Sequence, residues 1–410
     1  MPENIKCILM LGCFDTKGEN FAFLRKCLLD HAEKVITLNT GVMGTTDNFP
    51  VDIESDRVAL EAGYLIQEIR NKGDRGHAVE IMGAGAAKII AKLIAEDKIK
   101  AAIGMGGGGG TYIALSAMQV IPFGIPKFCL STVAAKDLSR QTGNKDIVLM
   151  PSIVDIAGLN RINMLLISQA AAAVCAMAKV TDVKENRAVR TIAISMFGNT
   201  SPCVDRCSLL LREHGYEVLA FHATGVGGRT MEALIREGCF DAVLDITTTE
   251  LADDLCGGIC SAGADRLNAA ADMGIPQVVV PGCLDMVNFA HIDTVPEQYK
   301  NREFYKWAPD VTLMRTNIEE NKILGERLVR KLQRSAGAVT ILLPLQGISQ
   351  IDRQGAVFYR PEIDQALFES IKESANGLVN VIDMDAHIND VKFSDRLVSI
   401  LLDMLERKKA

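Results

Sequence analysis

The periodic pattern of hydrophobic and polar positions along this chain predicts alternating strands and helices. Residues 7–11 form a short apolar run that predicts a buried strand, and residues 14–19 form a polar turn. Residues 21–31 then carry apolar side chains at helical spacing, and residues 35–38 predict the next strand. Strands and helices that alternate in this way are typical of a doubly wound parallel sheet.

The alternation of predicted strands and helices continues to Lys179. Helices are predicted at residues 57–72, 83–95 and 111–118, and strands at residues 101–105 and 127–130. A long apolar helix that ends near Lys179 follows. The most apolar part of this last helix, residues 164–178, is too short to cross a bilayer. We therefore expect a buried helix there and no association with a membrane.

A charged segment of low hydrophobicity, residues 179–190, interrupts the pattern, and a new strand is predicted at residues 191–195. We place the domain boundary in this segment. The N-terminal domain is then residues 1–183, and the C-terminal domain is residues 184–410.

A weak repeat relates the two halves. FDTK at residues 14–17 corresponds to FGNT at residues 197–200, and GVMG at residues 41–44 corresponds to GVGG at residues 225–228. The predicted fold class is α/β, with two Rossmann-like doubly wound parallel-sheet domains and an interdomain cleft at the carboxyl ends of their strands.

Five consecutive glycines, residues 106–110, stand between the strand at 101–105 and the helix at 111–118. Glycines let backbone amides approach an anion closely, and a helix N-terminus adds free amides and a positive dipole end. The P-loop pattern fails because Gly110 stands where its lysine belongs, and the dinucleotide pattern lacks an acidic residue after the next strand. Tight strand–helix packing needs fewer glycines, so we predict a phosphate-binding loop.

Further residues at strand exits are expected at the same edge of the sheet. Lys17 is a candidate for neutralising phosphate charge, although a solvated surface lysine is the simpler alternative. The predicted nucleotide-binding residues are Asp15, Thr16, Lys17, Gly41, Gly44, Gly83, Gly85, Gly106, Gly107, Gly108, Gly109, Gly110, Thr111, Ser131 and Thr132.

When the two halves of the sequence are aligned, hydroxyl and carboxylate side chains of the second half correspond to the five glycines. Residues 247–251 read TTTEL and follow Asp245, and a later predicted strand exit reads DMDAH up to His387. Asp245, Glu250 and His387 are therefore the candidate catalytic residues for proton transfer. The alternatives are a helix cap for Glu250 and an ordinary polar strand exit for His387. Arg315 either clamps an anionic group or forms a structural ion pair.

Composition narrows the class of protein. The chain has 410 residues, 48% of them hydrophobic and 23% charged, with a net charge of -7. This offers no general basic surface for nucleic acid. The first fifteen residues do not resemble a signal peptide, so a cytoplasmic location and reduced cysteines are expected. The eleven cysteines have no paired zinc-type spacing, and no metal site of the protein alone is predicted.

Seven motifs carry a resemblance to a known family. In order they are GMGGGGGT, FGNT, ATGVGG, DITTTELAD, PGCLDMVNF, LMRT followed after two residues by EEN, and LPLQGIS. Together they resemble an uncharacterised bacterial and fungal family related to the N-terminal inhibitory domain of the tomato mosaic virus resistance protein. The resemblance covers essentially the whole chain. It implies two Rossmann-like subdomains, ATP binding and self-association into a homodimer or higher homo-oligomer.

The expected function is binding of ATP, with Mg2+ as an optional companion, in the interdomain cleft. Whether the protein is also an ATP-dependent enzyme acting on a small metabolite there is left open. One alternative is a nucleotide-independent lyase, isomerase or hydrolase of a phosphorylated or carboxylated metabolite. Another is a non-catalytic ligand-sensing module. No nucleophile–base pair has a diagnostic spacing, so the sequence predicts binding of a small molecule and leaves the reaction open.

Overall fold

A computed structural model describes residues 6–180 and 189–407, which form two compact units, one on each side of residues 181–188 in the sequence. The predicted boundary between residues 183 and 184 lies outside the described residues. We call residues 6–180 the N-terminal unit and residues 189–407 the C-terminal unit.

The N-terminal unit is built on a five-stranded parallel sheet. Its strands are β1 (Cys7–Gly12), β2 (Val35–Asn39), β3 (Ile99–Gly106), β4 (Lys127–Ser131) and β5 (Ile147–Pro151). Its helices are α1 (Phe14–Asp30), α2 (Ser55–Glu61), α3 (Ile66–Lys72), α4 (Arg75–Ala95), α5 (Gly108–Met118), α6 (Ser139–Thr142) and α7 (Arg161–Met177). The strands lie in the order β2-β1-β3-β4-β5, and all neighbours are parallel.

Helices cover both faces of this sheet, which explains why its strands are apolar throughout. In β1, Ile8 and Met10 join the core formed with α1 and α7, whereas Leu9 and Leu11 join the core formed with α4 and α5. This alternation follows from the two-residue period of a strand.

The C-terminal unit repeats the design and enlarges it. Its strands are β6 (Thr191–Met196), β7 (Glu217–His222), β8 (Ala242–Thr247), β9 (Gln277–Gly282), β10 (Met286–Phe289), β11 (Phe304–Ala308), β12 (Val311–Arg315), β13 (Val339–Pro344) and β14 (Asn380–Met384). Its helices are α8 (Ser201–Glu213), α9 (Val226–Arg236), α10 (Glu250–Cys256), α11 (Ala269–Met273), α12 (Ile318–Leu332), α13 (Pro361–Ala375) and α14 (Val391–Arg407). Short 3-10 helices lie at Gly198–Thr200, Ile292–Thr294 and Glu297–Tyr299.

Strand order confirms the predicted fold class for each unit. Six strands of the C-terminal unit form a parallel sheet in the order β14-β13-β9-β8-β6-β7, beside a small antiparallel sheet β10-β12-β11. In both units the first strand lies between the second and the third, which is the arrangement of a doubly wound fold. No helix within the described ranges combines the length and apolar character needed to cross a membrane.

Several predicted helix limits were wrong for identifiable reasons. The helix expected at 57–72 is divided into α2 and α3, and Gly63 between them has φ +92°. The helix expected from Gly83 begins eight residues earlier, at Arg75, because the Asp74 side chain caps it by accepting from the His77 amide at 3.0 Å. The polar segment at 14–19 already belongs to α1, which is kinked at Lys17. Strand β5 was not predicted.

Candidate functional site

A cavity of about 600 Å³ opens where the loops after β1, β2 and β3 meet. Its lining includes Asp15, Thr16 and Lys17 after β1, residues 40–43 after β2 and the glycine loop after β3. In the order β2-β1-β3, the chain leaves β1 and β3 towards opposite faces of the sheet, which creates a crevice at the strands' carboxyl ends. The cavity has the size of a site for a small molecule or cofactor.

The glycine loop presents free amides to this cavity. Gly107 is the N-cap of α5, and Gly108, Gly109 and Gly110 form its first turn, three residues earlier than predicted. Within the described residues, no side chain caps this helix and no carbonyl accepts from these three amides. The loop therefore has the unsatisfied donors that an anion requires.

Packing explains only part of the glycine run. None of the five glycines has a positive φ. A Cβ on Gly106 would lie 2.9 Å from Gly110 Cα, so a side chain is excluded there. A Cβ on Gly108 would meet nothing within 4 Å. Glycine at position 108 therefore keeps space open without being needed for backbone conformation or packing.

Arg75 brings a positive charge to the same loop. It is the first residue of α4, and its Nη2 lies 3.6 Å from the position that a Cβ on Gly109 would take. Within residues 6–180 and 189–407, it has no hydrogen-bond or ion-pair partner. Sequence reasoning missed this residue because α4 was expected to begin at Gly83. The helix-capping aspartate at position 74 was the signal that could have found it.

Lys17 and Asp15 also line the cavity, each with a backbone partner. Lys17 Nζ donates to the carbonyl oxygen of Ile156. Asp15 Oδ2 accepts from the Met43 amide at 2.8 Å, whereas its Oδ1 is buried and has no donor. A Cβ on Gly41 would overlap the Asp15 carboxyl group, so glycine at position 41 makes room for this carboxylate.

The lining of the cavity also contains apolar side chains, among them Val42, Ile69, Val79, Met82 and Ile113, which we call the apolar wall. An apolar wall beside a cluster of donors is the usual composition of a site for an organic ligand with an anionic group.

The remaining predicted residues of the N-terminal unit lie outside this lining. Thr111 and Ser131 are buried and share a hydrogen bond of 2.6 Å, and the Thr132 amide donates to Gly106 at 3.1 Å, so these three residues fix the loop to β4. The Gly44 carbonyl accepts from the side chain of Asn39 at 3.0 Å.

Gly83 and Gly85 lie inside α4 rather than at its start. A Cβ on Gly83 would be 3.1 Å from Ser116 Oγ in α5, and one on Gly85 would overlap the carbonyl oxygen of Val58 in α2. Close packing between helices accounts for both glycines.

In the C-terminal unit, Asp245 and Glu250 converge on the fully buried guanidinium of Arg266. The distances are 2.5 Å from Arg266 Nη1 to Asp245 Oδ2 and 2.5 Å from Nε to Glu250 Oε2. Glu232 approaches Nη1 at 3.4 Å. Burial alone would lower the pKa of Arg266, but Asp245 and Glu250 raise it well above its usual value, so the guanidinium stays charged.

Glu250 also accepts hydrogen bonds from backbone amides at the start of α9, which we call the amide cradle of the C-terminal unit. Its Oε1 accepts from the amides of Gly225, at 2.7 Å, and Gly228, at 3.1 Å, around the start of α9. A side-chain carboxylate therefore occupies the place where a helix N-terminus would otherwise hold an external anion.

His387 is held apart from these two carboxylates. Its Nδ1 accepts from the Asn389 amide at 3.1 Å, and its Nε2 lies 2.9 Å from the Ser349 carbonyl, an arrangement that fits a proton on Nε2. None of the hydrogen bonds or ion pairs in the described residues joins it to Asp245 or Glu250. Arg315 forms a structural ion pair with Asp364, 2.6 Å away.

Comparisons with known proteins cover both units. The model for the N-terminal domain of the uncharacterised protein family UPF0261 matches residues 6–183, and the model for its C-terminal domain matches residues 190–405. A UPF0261 protein of Clostridium tetani is 43% identical over 403 residues, which are 98% of this chain and 100% of the relative.

Two tomato proteins are similar over the same length of this chain. The ToMV susceptible protein tm-1(GCR26) of Solanum lycopersicum is 39% identical and is matched over 98% of this chain and 56% of its own length. The ToMV resistance protein Tm-1(GCR237) is 34% identical, with 99% and 57% covered. A solved Streptomyces glycosyltransferase, SsfS6, matches 67% of this chain and 81% of its own at 16% identity and a TM-score of 0.22, which is too low to support an argument.

Proposed function

This chain belongs to the UPF0261 family, and we propose that it is a nucleotide-binding protein whose N-terminal unit holds ATP in the cavity after β1, β2 and β3. The phosphates lie against the amides of Gly108, Gly109 and Gly110, beside the guanidinium of Arg75. The base lies against the apolar wall.

The observation that carries this proposal is the open, uncapped first turn of α5. Within the described residues, the amides of Gly108, Gly109 and Gly110 have no acceptor, and all three residues line the cavity. No atom lies within 4 Å of the position that a Cβ on Gly108 would take. The dipole of α5 favours negative charge at this end, and Arg75 adds a full positive charge. An anionic ligand gives every one of these groups a partner.

The apolar wall favours an organic anion over a free phosphate. Val42, Ile69, Val79, Met82 and Ile113 offer surface that inorganic phosphate would leave in contact with water. A purine ring lying against such a wall buries one of its faces, and the nucleotide's triphosphate extends towards the glycines.

Titration calorimetry with ATP tests the proposal, with wild type beside Gly108→Asp and Gly108→Ala. A carboxylate at position 108 stands in the phosphate site, and like charges about 4 Å apart repel strongly enough to lower affinity by about 100-fold or more. Alanine adds only a methyl group and no charge, so its loss should be much smaller. Circular dichroism checks that each variant is folded.

A second pair of variants tests the role of the guanidinium. Arg75→Gln should weaken ATP binding by about 10-fold or more, because a charge-assisted contact to phosphate is lost. Arg57→Gln is the matched control, since Arg57 lies on the surface of the same unit and pairs with Glu61 at 2.8 Å. Wild-type protein that fails to bind ATP would contradict the proposed function, and a Gly108→Asp variant that binds normally would contradict the proposed site.

A further inference from the structure

A second cavity, of about 370 Å³, adjoins the proposed nucleotide cavity, and we call it the side cavity. Asp15, Thr16 and Lys17 line both cavities, so the two spaces meet at the start of α1. The rest of the side cavity comes from α1 itself, from residues 45–48 after β2 and from Gly158 after β5. It therefore lies at the carboxyl ends of the strands, where parallel sheets bind their ligands.

Lys17 lies at the junction of the two cavities, where α1 is kinked. Its φ and ψ angles of -131° and 28° are not helical, and its ammonium group donates to the Ile156 carbonyl in the loop after β5. Among the described residues it has no other hydrogen-bond or ion-pair partner, so two of its three N–H groups stay available. An ammonium group fixed at this place can contact a phosphate in one cavity and a second ligand in the other.

The lining of the side cavity is polar. Its hydroxyl and carboxamide side chains are Thr16, Asn20, Thr45, Thr46 and Asn48. Phe14 is the one apolar side chain among the described residues that line it, and that ring is buried in the core. The side cavity therefore offers no apolar wall, whereas a ligand with several hydroxyl groups can both donate to and accept from such a lining.

The charges of the side cavity select against an anion. Lys17 is the single cation among its described lining residues, beside the carboxylates of Asp15, Glu19 and Asp47. An anionic ligand would be repelled by these carboxylates and by the phosphates of the neighbouring nucleotide. A metal ion does not explain the carboxylates, because no group of three or more histidine, cysteine, aspartate or glutamate side chains in residues 6–180 and 189–407 is placed to hold one. A neutral ligand rich in hydroxyl groups meets neither objection.

The carboxylate of Glu19 is available to a ligand in the side cavity. Its Oε2 lies 3.9 Å from the position that a Cβ on Gly158 would take, and within the described residues it has no hydrogen-bond or ion-pair partner. Asp15 instead uses its Oδ2 to accept from the Met43 amide at 2.8 Å. Glu19 can therefore take a proton from a hydroxyl group that is bound beside it.

We propose that the side cavity binds a small neutral polyol, which receives the terminal phosphoryl group of the nucleotide. This inference rests on the proposed nucleotide site. A hydroxyl oxygen of the polyol attacks the terminal phosphorus, the bond from that phosphorus to the bridging oxygen breaks, and its electron pair leaves with ADP. The hydroxyl proton passes to Glu19 and then to water, while Lys17 stabilises the charge on the transferred group. The products are ADP and a polyol phosphate.

Phosphorus NMR of wild type with ATP and Mg2+ tests the proposal, with glycerol, ribitol and sorbitol as separate acceptors. At least one polyol should give a phosphate ester and ADP in equal amounts. Gluconate is the matched control for sorbitol, because it carries a carboxylate in place of one terminal hydroxymethyl group. It should react about 10-fold more slowly or worse. A faster reaction with gluconate than with sorbitol would overturn the proposal, and so would the absence of an ester from all three polyols.

Glu19→Gln keeps the size of the side chain and removes its basicity. It should lower kcat with the best polyol by about 100-fold or more and leave the Kd for ATP unchanged in calorimetry. Asp30→Asn is the matched control, since Asp30 is an exposed residue at the other end of α1, and it should change neither value. A Glu19→Gln variant with the kcat of wild type would contradict the role of Glu19 as the base.

Two further variants separate the two cavities, with circular dichroism as the check on folding. Lys17→Met should lower kcat by about 100-fold, with a much smaller loss of ATP affinity, because the ammonium acts mainly on the transferred group. Asp47→Ala should raise the KM for the polyol by about 10-fold and leave the KM for ATP unchanged, since it removes a charged hydrogen-bond acceptor from the side cavity alone. Equal effects of Asp47→Ala on both KM values would contradict a separate polyol site.

Failure of this inference and failure of the proposed function give different results. Wild type that binds ATP but forms no polyol phosphate would overturn the phosphoryl transfer and leave the nucleotide site standing. Wild type that binds no ATP would overturn the proposed function itself.

Discussion

In the C-terminal unit, the protonation state of the buried Asp285 depends on the charged side chains around it. Asp285 and Asp352 each have a buried Oδ1 without a donor, and the Asp285 Oδ2 accepts from Ser349 Oγ at 2.7 Å. Burial, and secondly the neighbouring Asp352, raise the pKa of Asp285 to about 7, although Arg315 opposes this shift. In the folded protein Asp285 therefore retains its proton up to about pH 7.

We predict that this proton makes stability depend on pH. An aspartate in the unfolded chain has a pKa near 3.9. Between that value and about 7 the folded protein retains a proton that the unfolded chain releases, so Asp285 makes the free energy of unfolding fall as pH rises through this window. The stability of Asp285→Asn relative to wild type should therefore be clearly greater near pH 8 than near pH 5.

Urea unfolding of both proteins at the two pH values checks this expectation. The relevant quantity is the difference between variant and wild type, since other titrating groups affect both proteins equally. A variant that is destabilised equally at both pH values would show that Asp285 is ionised in the folded protein.

At the scale of elements, α4 illustrates how packing can reverse a local preference. Glycine inside a helix costs about 1 kcal/mol relative to alanine, and Gly83 and Gly85 therefore suggested a helix start. In the structure both lie within the helix, where they allow close approach of α5 and α2. The two glycines did mark positions where a side chain is excluded. The sequence did not show whether the reason was a helix start or a close contact between helices.

A series of alanine substitutions along this one helix separates propensity from packing. Gly85→Ala should destabilise the protein by about 1–3 kcal/mol because its Cβ overlaps the Val58 carbonyl, despite the better helix propensity of alanine. Gly76→Ala is the control, since its Cβ would make only an ordinary contact, 3.5 Å from Asp74 Oδ1. It should be neutral or stabilising in thermal unfolding. Equal effects at the two positions would contradict the packing explanation.

At the scale of the whole molecule, the first five strands of the parallel sheet have the same order in both units, but the two units differ at the carboxyl ends of these strands. The N-terminal unit leaves the amides at the start of α5 free, whereas the C-terminal unit fills its cradle at the start of α9 with Glu250 and balances that charge with Arg266. Each hydrophobic core is formed within a single unit. Ligand binding and stability can therefore be assigned to units separately.

We predict that ATP stabilises the N-terminal unit alone. The lining of the cavity comes entirely from that unit, and binding raises stability in proportion to the logarithm of ligand concentration over Kd. Trp307, the chain's single tryptophan, lies in β11, so its fluorescence reports on the C-terminal unit. ATP should raise the calorimetric transition of the N-terminal unit and leave the fluorescence transition unchanged. A parallel shift of both would contradict independent unfolding.

The sequence alone determined the features that depend on neighbours along the chain. The strand–glycine–helix order around residues 106–110 and the repeated α/β pattern follow from local apolar periodicity and from glycine's missing side chain. They were sufficient to predict the fold class and to single out the glycine loop.

Only the tertiary structure brought distant segments to one place. Strand order placed Asp15 against Gly41, α4 carried Arg75 to Gly109, and Arg266 took Asp245 and Glu250 as partners. Such contacts join residues separated by about 15 to 35 positions, and the free energy that selects them comes from burying whole faces of helices and sheets. No local pattern encodes which carboxylate will meet a guanidinium and which will face an open cavity, so packing decided that difference between the two units.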